Sequence, residues 1–122
     1  MTQNRFWVAL GSLYGLIAVG MAAASAHLSD GRLPIARRVS ATALASAVQM
    51  NGWHALALVA CGVWGRGVFT TAAGVCFALG VLLFCGSIYA GFAGVAPSPV
   101  TPVGGGLLML GWLALGLSAL RR

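Results

Sequence analysis

Four apolar runs, Phe6 to Leu28, Ala41 to Trp64, Val68 to Phe92 and Val103 to Leu120, fill most of this 122-residue chain, and none holds an Asp, Glu, Lys or Arg. About 20 helical residues cross the roughly 30 Å of hydrocarbon in a bilayer. The runs therefore predict an all-α fold, an integral membrane bundle of four transmembrane helices in a single domain covering 1–122. Water is excluded as the main solvent, because 60% of residues are hydrophobic and only 7% charged, against about a quarter in soluble domains. Seven arginines and Asp30 are too few to cover a soluble core.

The net charge of +6 raises the question of nucleic acid. The arginines stand in small groups between apolar runs and form no basic stripe, so no nucleic-acid partner is expected. The expected counter-charge is a bilayer with anionic head groups, contacted by Arg5, Arg37, Arg38, Arg66, Arg121 and Arg122. Cys61, Cys76 and Cys85 all lie in apolar runs without C-x-x-C or Cys/His spacing. They read as small hydrophobes, with no disulfide or metal role.

Arg5, the apolar run behind it and Ala24-Ser25-Ala26 imitate a secretory signal with its cleavage site. The run exceeds the roughly 7–15 apolar residues of a signal core, so it is read as a retained span. Ser29-Asp30-Gly31-Arg32 has turn composition, and Pro34 suits the first position of a helix. Helix 2 is thus expected to begin before the membrane, with Leu33 to Ser40 lying in the interface. Gly65-Arg66-Gly67 allows only a tight reversal between helices 2 and 3. Gly94 to Pro102, with three prolines, reads as an extended, rigid loop. Four spans put both termini and the 65–67 turn on one side with Arg5, Arg66, Arg121 and Arg122, against Arg32, Arg37 and Arg38 on the other. The positive-inside rule then assigns the termini to the cytoplasm.

Helices in lipid associate through close backbone approach at small residues. The candidate faces are Gly11, Gly15, Ala18, Ala22 and Ala26 on helix 1, Ala41, Ala45 and Gly52 with Gln49 on helix 2, and Gly86 and Ala90 beside Ser87 on helix 3. Trp7 and Trp64, at span ends facing one side, read as interfacial anchors.

Polar side chains inside spans carry the strongest functional signal, because hydrocarbon offers them no partner. The candidates are His27, Gln49, Asn51, His54, Ser87, Tyr89 and Thr101. Asn51 and His54, three residues apart, are neighbours on one helix surface, and interhelical hydrogen bonding is their plainest role. Two histidines invite a haem reading. His27 lies near the outer end of helix 1, however, and His54 lies about 20 Å deeper along helix 2, so one copy cannot grip an iron without a partner subunit. The spans hold no carboxylate for a proton relay. Nor do they show a nucleophile with its base or a phosphate loop, so neither enzymatic activity nor a cofactor is expected.

Four stretches, taken in order, resemble the small bacterial inner-membrane proteins called domain of unknown function 423, or uncharacterised protein family 0382, whose eukaryotic relative is transmembrane protein 256. They are Val19 to His27, Gln49-Met50-Asn51-Gly52-Trp53-His54-Ala55-Leu56-Ala57, Leu82 to Tyr89 with its Phe-x-Gly-Ser-x-Tyr element, and Val100 to Gly105 with Thr-Pro-x-Gly-Gly, followed by Gly111-Trp112. The resemblance implies a four-span inner-membrane fold and brings no activity, catalytic residue or cofactor. The expected function is non-enzymatic: an accessory, assembly or stabilising component beside other membrane protein subunits. Two alternatives stand beside it. One is passage of a small solute or ion along Asn51, His54, Ser87 and Tyr89 between helices 2 and 3; the other is a haem- or quinone-associated subunit using His54 or His27.

Overall fold

The computed structural model describes residues 4–29, 40–65, 67–95 and 99–121. Among these it contains four helices and no strand: α1 (Arg5–Ser29), α2 (Ala41–Trp64), α3 (Val68–Phe92) and α4 (Val100–Leu120). The helix starts are fixed by local donors finding acceptors, since the first N–H groups of a helix have no partner within it. Asn4 Oδ1 accepts the Phe6 N–H at 3.1 Å, and the Asn4 N–H donates to the Gly62 carbonyl of α2 at 2.8 Å. Ser40 is extended and its Oγ accepts the Ala43 N–H at 3.0 Å, an N-cap geometry.

Behind that cap α2 begins at Ala41, where the apolar run begins; the expected interfacial segment, residues 33–40 with Arg37 and Arg38, lies but for Ser40 outside the described residues. The start of α4 differs from expectation, at Val100 instead of Val103. Pro99 occupies the N-cap and Pro102 falls in the first turn, where a missing N–H removes no helical bond. The expected extended loop is shortened accordingly.

The helices alternate in direction. The start of α1 meets the end of α2 through Asn4 and Gly62, and the Trp64 indole at the end of α2 donates to Ser118 near the end of α4. The start of α1, the α2–α3 turn and the end of α4 therefore share one end of the bundle. Backbones pack as α1 on α2, α2 on α3 and α3 on α4, while α1 and α4 make no comparable contact among the described residues.

Close approach is concentrated at a few glycines. A Cβ on Gly11 would lie 2.7 Å from the Ala55 carbonyl oxygen, and one on Gly62 would lie 2.8 Å from that of Asn4, so α1 and α2 touch backbone to backbone. Gly80 and Gly104 do the same for α3 and α4, with Gly104 set directly against the Phe84 backbone nitrogen. Two further glycines seat rings, Gly74 under Trp7 and Gly111 under Phe77. Trp7 is thus a core residue, 6% exposed, and not the interfacial anchor its position suggested. Gly11, Gly15 and Ala18 do face a neighbour or the interior, but Ala22, Ala26 and Ala45 are exposed, and nothing lies within 4 Å of a Cβ added at Gly52 or Gly86.

Leu16, Val19, Leu56, Val68, Met109 and Leu120 stand exposed on the outside, as hydrocarbon solvent permits. Three helices, Arg5–His27, Val68–Phe92 and Val100–Leu120, are long and apolar enough to cross a membrane. The 24-residue α2 falls short in hydropathy because it carries Gln49, Asn51 and His54. The molecule is an all-α membrane bundle. Gly104→Ala should destabilise it by about 1–3 kcal/mol, the usual cost of overpacking, because backbone and not a movable side chain opposes the new methyl. Gly106→Ala, with nothing within 4 Å of the added carbon, should be neutral in the same detergent unfolding assay.

Candidate functional site

Two polar side chains of α2, Asn51 and His54, turn inward. Asn51 is 1% and His54 3% exposed. They are neighbours on that helix, as their spacing predicts, yet they reach different partners. His54 Nδ1 lies 2.6 Å from the Met50 carbonyl oxygen; a carbonyl only accepts, so Nδ1 carries the hydrogen. Nε2 is then the acceptor for the Trp112 Nε1–H of α4, at 2.9 Å. Phe77 of α3 completes a three-ring cluster, with its centroid 5.5 Å from His54 and 5.1 Å from Trp112, the latter edge to face.

Asn51 Nδ2 donates to the Tyr89 hydroxyl of α3 at 2.9 Å. The Ala47 carbonyl of α2 lies 3.5 Å beyond that hydroxyl and also accepts the Cys85 thiol at 3.2 Å. Asn51 Oδ1 is buried without a partner, as is the Trp7 indole nitrogen. Ser87 of α3 donates to the Phe84 carbonyl at 3.0 Å and is hydrogen-bonded to Thr101 in the first turn of α4. Ser87 has one hydroxyl hydrogen, so while it donates to Phe84, Thr101 is the donor in that pair.

The seven candidates therefore do not form one site. Asn51 and Tyr89 meet between α2 and α3, His54 turns to α4, and Ser87 pairs with Thr101 between α3 and α4. Gln49 and His27 are exposed on their helices. Of the four residues expected to line a path between α2 and α3, Asn51 and Tyr89 meet there, beside an apolar cavity of about 80 Å³ that Tyr14 of α1 also lines. Among the described residues no group of three or more His, Cys, Asp or Glu could hold a metal ion. Arg5 is exposed, and the Arg121 guanidinium lies 5.5 Å from the Phe69 ring centre at the same end of the bundle; Arg66 and Arg122 lie outside the described residues.

Three contacts escape sequence reasoning. Trp112 is the partner of His54, the Tyr14 hydroxyl donates to the Ala78 carbonyl at 2.8 Å, and Trp64 donates to Ser118 at 3.1 Å. Only Trp112 gave a signal, since it lies mid-helix, away from any interfacial belt.

Residues 21–105 match the model of a family described as protein of unknown function, DUF423. This chain belongs to the DUF423 family. The UPF0382 membrane protein YwdK of Bacillus subtilis is 30% identical to it over 126 residues, covering 96% of this chain and 98% of that protein. The UPF0382 membrane protein SERP0230 of Staphylococcus epidermidis is 30% identical over 123 residues, covering 96% and 97%. No solved structure matches. The matched stretch of this DUF423 protein holds Asn51, His54, Ser87, Tyr89 and Thr101, whereas Tyr14 and Trp112 lie outside it.

A double-mutant cycle of Asn51→Ala with Tyr89→Phe, read from unfolding in detergent, should give a coupling of about 0.6 kcal/mol, the average for hydrogen bonds between membrane helices. Asn51→Ala with Thr101→Val, which share no partner, should be additive.

Proposed function

We propose that this DUF423 protein is a four-span protein of the bacterial inner membrane that works without catalysis, as an accessory, assembly or stabilising component of a membrane protein complex. The observation that carries this reading is the way interior polar groups are used. Asn51, His54, Ser87 and Thr101 are engaged by neighbouring side chains, while α1, α3 and α4 hold large apolar side chains outward. Such a molecule offers faces to lipid and to other helices and keeps little polar surface for substrate.

The same pairing supports α2 as the fourth span. Much of its low hydropathy comes from Asn51 and His54, which point into the bundle, and its outer face carries Trp53, Leu56 and Val63 beside the exposed Gln49. Arg5 and Arg121 at one end of the bundle support cytoplasmic termini, with anionic head groups as their counter-charge. Solute passage is less favoured, because Asn51 and Tyr89 alone meet between α2 and α3. So is haem ligation, because both ring nitrogens of His54 are engaged.

Alkaline phosphatase, active only outside the cytoplasm, should be inactive when fused after residue 122 and active when fused after residue 35; activity at the C-terminal fusion would overturn the four-span, termini-inside topology. After mild detergent extraction at native expression level, the chain should migrate in an assembly with other membrane proteins. Recovery of only a lone monomer would overturn the accessory reading.

A further inference from the structure

We propose that the crevice between α2 and α4 binds a bilayer-soluble molecule made of a hydroxylated aromatic ring on an apolar tail, an alkylphenol or hydroquinone in chemical class. The two helices meet mainly through side chains, His54 with Trp112 and Trp64 with Ser118, because the backbone contacts of α4 are made with α3. A cavity of about 240 Å³ is left between them, with His54 and Trp112 lining it beside Trp53, Phe84, Met50 and Met109. Trp112 also borders a second, almost wholly apolar groove of about 390 Å³ that runs toward Trp64 past Leu115 and Gly116. The first space suits one ring and the second an apolar chain. Exposed Trp53 and Met109 put the opening on the outer surface of the bundle, so the ligand enters sideways from the acyl layer.

The polar chemistry of the crevice selects the head group. The polar side-chain atoms paired across it are His54 Nε2 and the Trp112 indole N–H, which satisfy each other at 2.9 Å. The Nδ1 bond to Met50 keeps Nε2 an acceptor. Trp112 is half exposed while His54 is buried, so the indole is the partner free to swing. When it does, one donor and one acceptor are left side by side in an apolar setting, where an unpaired group is costly. A carbonyl ligand would satisfy only the donor. A hydroxyl satisfies both, accepting from Trp112 and donating to His54, so one hydrogen bond is exchanged for two. The indole of Trp53 and the ring of Phe84 favour a flat, aromatic carrier for that hydroxyl.

The test uses the purified full chain in detergent micelles and native mass spectrometry with three probes: 4-decylphenol, its methyl ether 4-decylanisole, and 4-decylcyclohexanol. The phenol should be retained saturably at one molecule per chain. The ether, which cannot donate, should bind several-fold to about tenfold more weakly, the loss expected for one hydrogen bond. The cyclohexanol should fall between them. Trp112→Phe, checked for unchanged helix content, should lower phenol retention by a similar factor. Equal retention of phenol and ether by the unmodified protein, or unsaturable uptake of both, would overturn the proposal without reference to any variant. Cyclohexanol binding as tight as phenol would overturn its aromatic part. The outcome is independent of whether the chain co-purifies with other subunits.

Discussion

The inward turn of α2 organises the bundle. A helix carrying Asn51 and His54 is poorly suited to hydrocarbon on its own, and its neighbours meet this by placing Tyr89 of α3 and Trp112 of α4 at hydrogen-bonding distance. Each such bond contributes little, about 0.6 kcal/mol on average between membrane helices, so their sum does not hold the molecule together. Their consequence is rotational. Two side chains one turn apart on α2, bonded to two different helices, leave α2 one orientation about its own axis. That orientation sets which of its faces meets α1 and which meets lipid.

Cohesion comes from elsewhere, and it is unevenly distributed. Gly11 and Gly62 bring α1 and α2 into backbone contact, and Gly80 and Gly104 do so for α3 and α4. The two glycine-packed pairs are joined across the α2–α3 contact, where Phe77, Cys85 and Ala47 are fully buried. Trp7, carried by α1 and seated on Gly74 of α3, ties the first pair to the second. Among the described residues no equivalent glycine seat lies between α2 and α4, where side chains bridge the gap.

This division explains how much could be read beforehand. The bounds of α2 and α3 match the runs 41–64 and 68–92, because apolar length is a local property and only three residues separate the two runs. The start of α4 was missed because Pro99 and Pro102 were weighed as loop formers, whereas the first helical turn accepts proline. Trp7 was misread because closeness to a span end gives depth and says nothing about rotation. The same limit applies to Gly52 and Gly86, whose small size is visible in sequence but whose facing is not. Polarity alone made the seven residues candidates, and it did not tell the buried Asn51 and His54 from the exposed Gln49 and His27. Their sorting into separate pairs was not legible, since His54 and Trp112 stand 58 residues apart and no spacing rule links them.

The unevenness of packing also decides where the molecule can change. Separating α1 from α2, or α3 from α4, would break backbone contacts that no side-chain rotation can restore, and moving α3 from α2 would expose the buried Asn51–Tyr89 pair. The α2–α4 side differs in kind. There, side chains alone bridge the helices, the half-exposed Trp112 indole on His54 and the Trp64 indole on Ser118, and His54 is held separately by Met50 of its own helix. Conformational freedom in a bundle of this type collects where helices touch through side chains and not through glycines. In this chain that place coincides with His54, whose tautomer is set by the Met50 carbonyl of its own helix and by Trp112 of α4, and whose ring packs on Phe77 of α3.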